Sequence, residues 1–196
     1  MNGVREGIRF VRHAPLPVAY PRPEVPMLPV AMRTPPAAAV FRPESRFLAP
    51  DALYLPSGAA AIHYALRAIG IAAGDEVVVP AYHCPSMLFP VLAAGAVPVI
   101  VHVQSDLSVS PGAVEALRTR RTRAVLLPHY FGFLQPCMAD MRAWCDTHDI
   151  VLIEDCAHAF YDNGFPLGAG SYGHYAICSS RKFFAGGEGG AVVSNV

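Results

Sequence analysis

The chain has 196 residues, with 15 Lys plus Arg against 15 Asp plus Glu and a formal net charge of zero. That balance favours neither nucleic acid nor an anionic membrane surface as a partner. Hydrophobic residues make up 53% and charged residues only 15%, against about 25% charged in ordinary domains, so the composition fits one domain whose surfaces another domain or subunit covers.

Residues 1–50 hold 10 of the 19 prolines and show no sustained periodicity. They read as an extended N-terminal segment, followed by the main domain at 51–196. After Ser57, a good N-cap, the run from Gly58 to Ile69 is alanine-rich and strongly helical. Free N–H groups and the positive dipole end at such a helix start attract a phosphate, although an ordinary capped helix is the commoner outcome.

Val77 to Gln104 contains no Asp, Glu, Lys or Arg, which on hydropathy alone suggests a membrane span. Prolines 80, 85, 90 and 98 argue against that reading. They divide the stretch into a strand near Val77–Val79, a short helix after Pro85 and a strand near Val97–Val103. The rhythm repeats at Val114–Arg118, Ala124–Leu127, Met138–His148 and Val151–Ile153. A three-layer α/β/α sandwich with a buried parallel sheet is expected. Arg118, Arg120, Arg121 and Arg123, interrupted by Thr119 and Thr122, read as a solvated loop.

Five cysteines (84, 137, 145, 156 and 178) are odd in number, lack C-x-x-C spacing and sit in apolar surroundings. Without a signal-peptide pattern, reduced buried thiols in a cytoplasmic protein are expected. The eight histidines show no ligand spacing, so no metal site is expected. Gly168-Ala169-Gly170-Ser171-Tyr172-Gly173 satisfies G-x-G-x-x-G but precedes a strand instead of opening a helix, which argues against a dinucleotide site.

The short β-branched run Val151-Leu152-Ile153 stops at Glu154-Asp155-Cys156-Ala157-His158. Ligands bind at strand ends in open α/β sheets. Downstream, Ser179-Ser180-Arg181-Lys182 is followed by Phe183-Phe184-Ala185-Gly186-Gly187-Glu188-Gly189-Gly190. A lysine here suits imine formation with a carbonyl cofactor, and a hydroxyl three residues before it suits a phosphate. Imine chemistry needs an amine whose charge is suppressed by burial or cationic neighbours, and Arg181 with the apolar flank Tyr175-Ala176-Ile177 fits that need. The pair points to pyridoxal phosphate (PLP). Asp155 is the candidate for keeping the PLP ring nitrogen protonated, which the electron-sink role requires. Taken alone, Asp155 fits a turn cap equally well.

With these elements in order, the chain from about Leu55 onward resembles the DegT/StrS family of PLP-dependent aminotransferases of fold type I, best known from amino-sugar biosynthesis. The resemblance is carried by Ser57-Gly58-Ala59-Ala60-Ala61, Gly74-Asp75-Glu76-Val77-Val78-Val79-Pro80, Ala94-Gly95-Ala96-Val97-Pro98-Val99, His129-Tyr130-Phe131-Gly132, Ile153 to His158, and Lys182 with Gly187 to Gly190. It implies that backbone N–H groups of Ala59 and Ala60 hold the phosphate, Asp155 meets the ring nitrogen, His158 lies near the ring hydroxyl, Ser179 binds phosphate and Lys182 carries the imine. It also implies a glutamate or glutamine amino donor, a keto sugar nucleotide acceptor and a homodimer.

The chain departs from the family pattern at Ala59, where Thr is usual, and at His158, where Gln is frequent. Cys84 falls where the family has the aromatic that stacks on the cofactor ring, with Tyr82 and His83 as alternative covers for that face. The family continues past the lysine into a smaller C-terminal domain, so this chain is expected to be the large-domain portion with the small domain missing. Two alternatives stand beside an aminotransferase: another fold-type-I reaction such as a lyase, and a catalytically silent PLP-binding or scaffold fragment.

Overall fold

The computed structural model describes residues 45–161, 168–184 and 188–196. Most of the expected proline-rich segment, residues 1–44, lies outside the described residues. The elements in chain order are β1 (Leu53–Leu55), α1 (Gly58–Ala68), β2 (Glu76–Pro80), α2 (Pro85–Ala93), β3 (Val97–Val101), α3 (Pro111–Glu115), β4 (Thr122–Pro128), α4 (Met138–Thr147), β5 (Val151–Asp155), β6 (Tyr175–Cys178) and β7 (Gly190–Ser194). They build one seven-stranded sheet in the order β1-β7-β6-β5-β4-β2-β3.

The pairings β2–β3, β2–β4, β4–β5 and β5–β6 are parallel, while β7 runs antiparallel to both β6 and β1. Parallel strands covered on both faces need continuous apolar runs, and Val77 to Val79 and Ala124 to Leu127 supply them, all fully buried or nearly so. Side chains alternate across the sheet. Val77, Val79, Leu126 and Ile153 therefore join Ala61, Ile62, Ala65 and Leu66 of α1 and Met87 and Val91 of α2 in one core. Val78, Val125, Leu127 and Leu152 join Val114, Met138, Met141 and Cys145 of α3 and α4 in a second core on the other face. Each fully buried Val, Leu or Ile contributes about 1.5–3 kcal/mol over leaving it in water. The expected three-layer sandwich is the fold.

Helix starts follow their caps. Ser57 Oγ accepts the Ala60 N–H at 3.1 Å and opens α1. Ser110 Oγ accepts the Ala113 N–H at 3.3 Å and, with Pro111 in the first turn, starts α3 three residues before the expected Val114.

Two expectations are corrected. The folded domain begins before residue 51, because Phe47, in a 3₁₀ turn at Arg46–Leu48, is fully buried against Phe160 with ring centroids 5.7 Å apart. One aromatic outweighs the extended character of its proline-rich surroundings. The arginine run is not simply solvated either. Arg121 pairs with the buried Glu76 at 2.8 Å, and Thr119 and Thr122 donate hydroxyls to the same carboxylate at 2.6 and 3.1 Å. The Thr119 hydroxyl, then Arg121 and Thr122, hold the Glu76 carboxyl below its ordinary value against the opposing effect of burial.

Candidate active site

The strand order reverses beside β2, with β3 on one side and β4, β5 and β6 on the other. A crevice opens outside the carboxyl ends of the strands at such a switch point. Here it is a cavity of about 340 Å³, lined by the start of α1, by Tyr82 to Cys84 after β2, Pro128 to Phe131 at the end of β4, Asp155 and His158 at the end of β5, and Ser179, Arg181 and Lys182 after β6. Of the sequence-predicted site residues, Ala59, His83, Cys84, Asp155, His158, Ser179 and Lys182 meet in this one cavity.

Asp155 closes β5 and is only 5% exposed. Its Oδ1 accepts the Ala157 N–H at 2.9 Å, so it caps the next turn and lines the cavity at once. Burial pushes its carboxyl up, opposed by the Ala157 N–H and by the charge of Lys182. An acid in that setting gains its charge most easily when a cation or a strong donor arrives.

Lys182 ends a 3₁₀ turn at Ser180–Lys182 and, like Arg181, is exposed. The burial expected of the amine is therefore absent. Its charge reaches across the cavity all the same, helping to lower Cys84 and His158 and opposing the burial that raises Asp155. His158 is held below its ordinary value by partial burial first and by Lys182 second. Its ring stacks on Phe131, centroids 5.7 Å apart at 17°. Phe131 has a φ of 55°, a left-handed conformation uncommon for a bulky side chain and frequent at ligand sites.

The helix start corrects one expectation. The Ala60 N–H is taken by Ser57 Oγ, and Ala60 does not line the cavity, whereas Gly58 and Ala59 do. A cap side chain competes for the N–H of the third helical residue and leaves the first two to a ligand. Ser179 is 6% exposed and lies against Gly58, where an added Cβ would come within 3.1 Å of the Ser179 Cβ. Glycine at 58 lets the serine and the helix start approach one another.

On the opposite wall, His83 donates Nδ1–H to the Pro80 carbonyl at 2.7 Å. Cys84 precedes α2, and its sulfur accepts the Ser86 hydroxyl at 3.1 Å. Ser86 and the Lys182 charge hold the thiol below its ordinary value. Tyr82, His83 and Cys84 all line the cavity. Tyr130, its phenol pushed up to about 12 by burial, donates its hydroxyl to the Tyr82 carbonyl at 2.5 Å.

Sequence reasoning passed over Glu154. It is fully buried, and its carboxylate accepts Nε2–H of His129 at 2.8 Å and the backbone N–H groups of Gly170 at 3.0 Å, Tyr172 at 2.5 Å and Gly173. The signal was the G-x-G-x-x-G run itself, whose N–H groups do hold an anion, one belonging to the protein. His129, Glu154 and Cys156 place metal-type ligand atoms within 4.8 Å of one another, but four N–H groups already point at Glu154 where a cation would have to sit.

The doubly wound sheet, with an aspartate ending β5 and a lysine turn after β6, is the large-domain fold of the fold-type-I PLP enzymes. The chain belongs to the DegT/DnrJ/EryC1/StrS aminotransferase family, whose model matches residues 47–196. It is 41% identical over 141 residues to the L-glutamine:2-deoxy-scyllo-inosose aminotransferase of Streptomyces fradiae, covering 70% of this chain and 33% of that protein. It is 36% identical over 146 residues to the GDP-perosamine synthase of Vibrio cholerae, covering 71% and 38% respectively. The crystal structure of NtdA from Bacillus subtilis with bound cofactor PMP superposes with a TM-score of 0.67 at 26% identity, covering 74% of this chain and 33% of that one. The chain thus spans little more than a third of the length of these relatives.

Proposed function

We propose that the chain supplies the cofactor-binding part of a PLP-dependent aminotransferase that moves an amino group from a glutamate-like donor to a keto sugar nucleotide or similar carbonyl acceptor. The observation that carries this reading is the convergence of Asp155, Ser179, Lys182 and the start of α1 on one cavity at the strand ends. The donor set fits the cofactor: helix-start N–H groups of Gly58 and Ala59, the Ser179 hydroxyl and the Arg181 guanidinium for its phosphate, and a buried carboxyl for its ring nitrogen. PLP when bound supplies an electron sink for the carbon that exchanges its amino group.

Asp155 would keep the ring nitrogen protonated by accepting its hydrogen, and that charge pairing would offset the burial that raises its carboxyl. His158, kept neutral beside Lys182, offers a hydrogen bond near the ring hydroxyl. Lys182 is the single lysine of the chain. Its Nζ is the amine that would hold the cofactor's carbonyl carbon and, when free, would be placed to move a proton at the reacting carbon.

The names of the relatives, which act on an inosose or make a GDP-linked amino sugar, support the acceptor class. Exposed Phe89, Leu92, Val97 and Ile100 support a second copy as partner. Among the described residues no helix is long and apolar enough to cross a membrane. Borohydride reduction with PLP followed by peptide mapping tests the reading. The adduct is expected on Lys182 and is expected to vanish in Lys182→Ala with the fold intact. Modification of the terminal amine instead, or no adduct, overturns it.

A further inference from the structure

The run Gly168 to Gly173 does not line the cavity, yet three of its N–H groups converge on one buried carboxylate. Along β5 the side chains alternate, so Asp155 faces the cavity while Glu154 points to the opposite face of the sheet. There Gly170, Tyr172 and Gly173 donate their backbone N–H groups to Glu154, and His129 donates Nε2–H. The other ring nitrogen of His129 accepts the Gln135 N–H at 3.2 Å, which fixes the tautomer with hydrogen on Nε2 alone. The His129 backbone N–H in turn donates to the Asp155 carbonyl at 3.0 Å. A residue other than glycine fails at 173, because its Cβ would come within 2.7 Å of the Tyr175 carbonyl and 3.0 Å of Glu154 Cγ.

The loop held in this way leads directly into β6, whose far end carries Ser179 and the Lys182 turn. We propose that Glu154 is a positioning residue: by gathering the Gly170–Gly173 N–H groups and the His129 ring from behind the sheet, it sets β6 against β5 and so fixes Asp155 relative to the Ser179–Lys182 turn. The proposal rests on the cofactor reading above for what the two residues hold. A misplacement of about 1 Å between such groups costs about a hundredfold in a reaction.

The test uses the full chain and Glu154→Gln, whose amide presents hydrogens to donors that Glu154 satisfies. In the cofactor-free chain, hydrogen exchange read by mass spectrometry should speed up about tenfold or more in peptides covering 168–174 and 179–184, while peptides from β2 and β4 keep their protection. With PLP added, affinity should fall about tenfold or more, and the visible circular dichroism of the bound cofactor, which reports its orientation, should change. A folded variant with unchanged exchange in both peptides overturns the proposal. So does one that loses loop protection but keeps affinity and dichroism, which would leave Glu154 a fold-stabilising residue only. If Glu154→Gln does not fold, Glu154→Asp is measured the same way, with the same outcomes. A wild-type chain without a reducible adduct on Lys182 defeats the cofactor reading, whereas the exchange at 179–184 reads the positioning with no cofactor present, so the two failures are distinguishable.

Discussion

Asp155 and Ile177 are partners across the parallel ladder of β5 and β6, which brings Ser179, two residues further on, level with the turn that Asp155 caps. The register between two strands therefore sets the separation of the Asp155 carboxyl and the Ser179 hydroxyl.

Asp155→Asn is expected to stabilise the cofactor-free chain at neutral pH. Burial raises the Asp155 carboxyl above its ordinary 3.8, so the folded state holds its proton more tightly than the unfolded state. Stability then falls as pH rises from 3.8 through the raised value. Asn keeps the Ala157 contact without the charge, and each 1 kcal/mol recovered raises Tm by about 2–4 °C. Thermal unfolding from acid to neutral pH checks this, and an Asn variant less stable than wild type at neutral pH would sink it.

Cys84 should be the first thiol to react. It is exposed and its thiol is held low by Ser86 and Lys182, whereas burial pushes Cys145 and Cys178 up to about 12 and Cys156 well up. Iodoacetamide should label Cys84 at least about tenfold faster than those three, and saturating PLP should slow the labelling. Equal rates for all cysteines, or no protection by PLP, would contradict the placement of Cys84 on the cavity wall.

Much of this site is written locally, and what is not is written at long range. Ser57 announces α1 because a cap acts over three residues, and Val151 to Asp155 announces β5 because β-branched residues and the break after them are adjacent. Glu154 gives no such sign. Its partners Gly170 and Gly173 lie far along the chain, and a buried glutamate looks the same in sequence as one at the surface until the loop that satisfies it is placed. The same holds for Phe47, whose burial depends on Phe160, and for Ala60, where the helix is legible but the loss of its N–H to Ser57 shows only in the folded cap.

His174 should make the fold acid-sensitive below its ordinary 6.5. Its Nδ1 accepts the Leu152 N–H and its Nε2–H donates to Asp146, both at 2.9 Å. Burial first, then Arg142, lowers its pKa against the pull of Asp146. The unfolded state thus takes up a proton before the folded state does, and stability is lost as pH falls from 6.5 through the lowered value. An NMR titration should place the His174 midpoint below 6.5, together with falling stability by urea unfolding; a midpoint above 6.5 would refute this account.

Gly190→Ala should lower both stability and PLP affinity. A Cβ there would meet the Ser57 backbone and come within 2.7 Å of the Gly58 nitrogen, so the helix start must shift. Overpacking of this kind costs about 1–3 kcal/mol. Calorimetry and a PLP titration check it, and unchanged affinity would show that the helix start is not part of the phosphate site.

The β1–β7 pairing sets an order of events during synthesis. Among the described strands, Leu53 to Leu55 pair with Gly190 to Val192 alone, so β1 has no hydrogen-bonded neighbour until β7 has been made. β2, β3, β4 and β5 are able to pair well before that. A separation of that length must close against a large loop entropy and slows folding. The nascent chain therefore carries β1 as an unpaired strand edge until β7 follows it, which is the interval in which a chaperone would matter most.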